Sequence, residues 1–255
     1  MLRLACNIHT TTFLGTHAVA LDLLKLLRVL PVSFAPTKVQ TSHSPAQNFS
    51  IESPQAFLEC LPGRFCYEGD VSLINPRGTC DFSVQWQKGN HDWFGKHPTK
   101  PFNWIGFSSK RWEEVLSEEL FSSFQNIFIS LCESFRAVYG SIHIEDSMEM
   151  DPPDGFGRCL PRLHWITYLG EAYTKTMGEQ LAKPCNSFTL SRRADGVLIQ
   201  LSCSPQAAIK QTVVESLAIE HLGVEYFWNP KDNWRKPQIH YLMPDLDWSS
   251  VITAT

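Results

Sequence analysis

One stretch, "KRWEEVLSEELFSSFQNIFISLCESFRAVYG" at residues 110–140, constrains the fold more than any other. Trp112, Val115, Leu116, Leu120, Phe124, Ile127, Phe128, Leu131 and Phe135 recur at three- and four-residue steps. That spacing lays a broad apolar stripe along one long helix, expected near 111–136. Glu113, Glu114, Glu118 and Glu119 stand early in it, where the positive end of the helix dipole favours them. Such a stripe needs a second layer to cover it.

The sequence on either side supplies strands. After the long helix, strands are expected at 138–145 and 163–169, and a helix at 171–182. "SFTLSRRADGVLIQLS" reads as a hairpin around Asp195-Gly196. Ser204-Pro205 opens a helix with Ile209, Val213 and Leu217 on one stripe and Gly223 at its C-terminal cap. "VEYFW" at 224–228 reads as a last strand. Ahead of the long helix, residues 2–9 read as a strand, and "HAVALDLLKLLRVL" at 17–30 as a helix ended by Pro31. The Pro- and Ser-rich run 31–54 reads as a loop. A short helix is expected after Ser53-Pro54, and short antiparallel strands near 65–74, 79–87 and 102–108. A hairpin is present, and strands do not strictly alternate with helices. The class is therefore α+β, a mostly antiparallel sheet packed with several helices. The expected organisation is one domain over 1–255, with a possible N-terminal subdomain at 1–108.

Composition narrows the function classes. Hydrophobic residues make up 43% and charged residues 19%, so a buried core is expected rather than disorder. The net charge of -4 gives no reason to expect nucleic-acid binding. It is unevenly spread: residues 1–110 carry ten Lys+Arg against seven Asp+Glu, whereas 111–255 carry twelve against nineteen. The acidic half suits a basic partner. The eight cysteines show no C-x-x-C pair and no zinc-ligand spacing, so reduced thiols are expected. The N-terminal segment lacks the features of a signal peptide, and no apolar run approaches about 18 residues. A cytoplasmic protein without a membrane span is the expectation.

No phosphate-binding glycine loop, nucleophile elbow or metal motif is present, so no cofactor, metal or catalytic residue is assigned. An alternative enzyme reading rests on "HIED" at 143–146, which puts His143 and Glu145 on one face of a strand, with His164 on the next. "WNPKDNWRKP" at 228–237 mixes tryptophans with basic residues, but it reads best as a surface loop. The acidic run 145–154 offers more. Glu145, Asp146, Glu149, Asp151 and Asp154 occur there with no basic residue. They form a candidate partner-binding site, in which carboxylates take the place of phosphates in a positively charged cleft.

"YGSIHIED", "LPRLHWITYLGEAYTKTMG", "ADGVLIQLSCSP" and "EHLGVEYF" follow the aromatic-rich helix in that order. Together they resemble the immunity-protein-52 family of bacterial polymorphic toxin systems, over about residues 110–228. A W-x-x-Y-[LF]-G-x-x-Y-x-x-x-x-G arrangement carries most of the likeness: Trp165, Tyr168, Leu169, Gly170, Tyr173 and Gly178. The resemblance implies a non-enzymatic antidote that binds a cognate secreted toxin. Such toxins are typically restriction-endonuclease-like nucleases, often delivered by type VI secretion. It implies no catalytic residues and no direct contact with nucleic acid or membrane. A generic interaction domain for another effector is the remaining alternative. Because the motif is rich in aromatics, Trp165 is expected to be buried, and Gly170 to mark a strand-to-helix turn.

Overall fold

The computed structural model describes residues 2–60, 68–78, 80–87, 89–90, 102–146, 159–209, 212–229, 231–232 and 239–253. The first strand, β1 (Leu2–Thr10), lies near the middle of a ten-stranded sheet. On one side of it stand β7 (Asn103–Ser109), β5 (Asp81–Gln87), β4 (Glu68–Ile74), β2 (Lys38–Thr41) and β3 (Ser44–Asn48), in that order. On the other side stand β8 (Ala137–Asp146), β9 (Ile166–Gly170), β11 (Gly196–Leu201) and β10 (Phe188–Arg193). Every neighbouring pair in this sheet is antiparallel. The fold is α+β. The first hundred residues and the rest of the chain share the sheet, with β1 pairing to β7 on one edge and β8 on the other. Two short strands, β6 (Gly89–Asn90) and β12 (Ile252–Thr253), pair in parallel apart from it.

Alternation along β1 sets the layers. Leu4, Cys6 and Ile8 point into a large core beneath α1 (His17–Leu27) and α2 (Gln55–Cys60). The expected long helix forms the rest of that cover, but in two pieces. α3 (Trp112–Val115) is followed by α4 (Glu118–Ser134). Ser117 between them is extended (ψ 142), and its carbonyl accepts from Phe121 N–H, so it starts a second helix instead of continuing the first. The expected stripe still points inward: Val115, Phe124, Phe128 and Leu131 are fully buried. The opposite face of β8, β9 and β11 builds a second core with α5 (Glu171–Thr176), α6 (Gly178–Leu181) and α7 (Val213–Leu222). Tyr139, Leu169, Tyr173, Leu222 and Phe227 lie in it.

Other expectations change as well. The run 31–54 is not all loop: it holds a 3₁₀ turn and the β2–β3 hairpin, tied to the sheet by β2 against β4. Residues 224–226 form a 3₁₀ turn rather than a strand, and only Phe227 makes a bridge, with Leu160. The helix expected from Ser204-Pro205 is a 3₁₀ turn at Ala207–Ile209, with α7 starting separately at Val213. Thr212 caps α7 by accepting from Glu215 N–H at 3.0 Å. Val213 and Leu217, expected on the inner stripe, are 77% and 50% exposed. The inner face carries Glu215, Ala218 and Leu222.

Trp165 is buried at 7% exposure and packs on Phe121, with ring centroids 5.1 Å apart. Its indole Nε1 and the Tyr168 hydroxyl are both buried with no hydrogen-bond partner among the described residues. These side chains contribute apolar area and shape, not a polar contact. Gly170 does join β9 to α5, but its φ of -69° is available to any residue. What excludes a side chain is the Ala137 carbonyl oxygen, which a Cβ would meet at 2.1 Å. Trp165→Ala is expected to destabilise the fold by about 3–5 kcal/mol, the usual cost of emptying a large aromatic site. Urea unfolding at neutral pH measures it, and a loss below about 1 kcal/mol would place the indole outside the core.

Candidate functional site

The sequence nominated two groups of residues, and each has described members on β8. The register of β1 against β8 puts Leu2 opposite Asp146, Arg3 opposite Glu145 and Ala5 opposite His143. Arg3 Nε donates to Glu145 Oε2 at 2.5 Å, so this carboxylate already has a cation. Asp146 is the last residue of β8. Glu149, Asp151 and Asp154 lie outside the described residues. Of the five acidic candidates, the fold therefore places two, at the end of a strand next to the edge of β1.

The histidines do meet. His143, on β8, and His164, in the segment leading into β9, stack with ring centroids 4.0 Å apart and an interplanar angle of 18°. They are 7% and 6% exposed. Ser141 Oγ lies 3.3 Å from His143 Nδ1. His164 N–H donates to Thr167 Oγ1 at 3.0 Å, which fixes the bend ahead of the strand. Burial pulls His143 down to about 4; Glu145 opposes this, while Arg162 and Arg3 add to it. His164 is held well below its ordinary value, first by burial and then by His143. At neutral pH both rings are uncharged and turned toward each other. Among the described residues, no group of three or more His, Cys, Asp or Glu side chains is placed to hold a metal ion.

Sequence reasoning missed the ion pair beside them. Arg162 donates to Glu215 through Nε at 3.1 Å and Nη2 at 2.6 Å, a two-pronged bridge. Glu215 is 1% exposed, and the Arg162 side chain 20%. Burial raises the Glu215 carboxyl, while Arg162 and the backbone N–H groups of Thr212 and Leu163 work against that rise. The bridge ties the segment before β9 to the first turn of α7. One signal for it was available: Thr212-Val213-Val214-Glu215 is a T-x-x-E capping box, which starts a helix at 213 and puts Glu215 in its first turn.

A cleft of about 480 Å³ lies at the far end of β4 and β5, lined by Glu68, Asp70, Gln85, Gln87 and Phe102. Asp70 is engaged there by Ser42, through its N–H at 3.0 Å and its hydroxyl at 2.5 Å. None of the nominated residues that the structure describes lines this cleft. The seven described cysteines are all free of disulfides, and Cys66 lies outside the described residues.

No family model matches the chain, and no curated protein matches it. The fold, however, has been seen before. It is similar to a solved structure described as Pseudomonas aeruginosa T6SS protein PA0821. The likeness covers 87% of this chain and 76% of that one, with a TM-score of 0.55 and 15% identity. It extends well beyond the 110–228 region that carries the sequence motif. No helix among the described residues is long and apolar enough to cross a membrane.

Proposed function

We propose that this chain is an antidote that binds and neutralises a cognate nuclease toxin delivered by type VI secretion. The observation that carries the reading is the shared fold with a type VI secretion protein over most of the chain. The order of the aromatic motif, the hairpin and the capped helix agrees with it. The protein acts by binding and not by turnover. Its two buried histidines face each other, and Glu145 is engaged by Arg3, so neither is offered to a substrate. It acts in the cytoplasm, where a nuclease would find its nucleic acid.

A nuclease holds anionic nucleic acid near basic side chains, and its inhibitor exploits that field by presenting carboxylates. The run from Glu145 to Asp154 is the densest supply. Asp146 and the three residues beyond it contribute most, because Arg3 offsets Glu145. The test neutralises all five: Glu145→Gln, Asp146→Asn, Glu149→Gln, Asp151→Asn and Asp154→Asn. With folding verified by circular dichroism, affinity for the toxin domain encoded beside this chain is expected to fall, and its dependence on salt to flatten. Unchanged affinity with unchanged salt dependence would remove the acidic run from the interface and leave the antidote reading standing.

A further inference from the structure

We draw no further inference here: the strongest candidate, the cleft at the far end of β4 and β5, rests on the paired carboxylates of Glu68 and Asp70, the second of them already engaged by Ser42, and nothing in the structure shows what fills it.

Discussion

Arg162→Ala is expected to destabilise the protein by about 3–5 kcal/mol, because it leaves the Glu215 carboxylate buried with no cation. Glu215 is 1% exposed and is fixed on the first turn of α7, so it cannot turn outward to water without unwinding the cap that Thr212 makes. The loss reflects desolvation of the orphaned charge, not the strength of the bridge. The matching double replacement, Arg162→Met with Glu215→Leu, removes both charges and should recover most of the stability. Equilibrium urea unfolding of the two variants separates these effects. If the double variant were as unstable as Arg162→Ala, packing of the arginine stem would be the cause and the buried charge would not.

Acid is expected to unfold the protein earlier than its carboxylates alone would require. The unfolded chain takes up protons on its histidines below about pH 6.5, whereas folded His143 resists protonation down to about 4, and His164 is lowered as well. Both shifts are downward, so stability is fully present above pH 6.5 and is lost as pH falls below it. A histidine held neutral in the fold contributes a slope approaching about 1.4 kcal/mol per pH unit below the unfolded value. For His143 this costs roughly 1.6 kcal/mol between pH 6.5 and 5, and His164 adds to it in the same direction. Replacing both rings, His143→Phe with His164→Phe, should flatten that slope, leaving the part due to His9, whose value burial also lowers. An unchanged slope in the double variant would mean that the stacked pair is already open to water.

The parts of the fold that were legible in the sequence are those in which local periodicity and burial agree. β1, α1, the strands before the long helix and the β10–β11 hairpin each have a face that pairs or packs as its own pattern requires. The β2–β3 hairpin did not announce itself. Four of the five residues of β3 are exposed and one is Pro45, so it exists through pairing with β2 rather than by propensity. α7 misled for the opposite reason. Its clearest apolar spacing, Ile209, Val213 and Leu217, faces outward from Val213 on, while its inner face is held by a glutamate whose partner lies 53 residues earlier. No single-sequence pattern encodes that pairing. The capping box at 212–215 would have corrected the helix start, though not the face.

The candidate sites divide in the same way. β8 and β9 are neighbours as expected, but their ladder ends at Ile142–Ile166, and His164 reaches His143 from the bend ahead of β9, not from the next strand. Their burial, and the engagement of Glu145 by Arg3, depend on β1, which is 142 residues away from Glu145 in sequence. Gly170 was found at the expected junction, but what forbids a side chain there is a carbonyl on the neighbouring strand. Trp165 and Tyr168 are legible as core because large aromatics on a strand beside a glycine turn have few other uses.

Inhibition of the toxin itself tests the antidote reading most directly. The full chain is titrated into a fixed concentration of the active nuclease toxin domain that the proposal requires as its cognate partner, with cleavage of plasmid DNA as the readout. Cleavage is expected to fall linearly and to stop at about one equivalent, as for a binder working far above its dissociation constant. Undiminished cleavage in the presence of a large excess of the folded chain would contradict it.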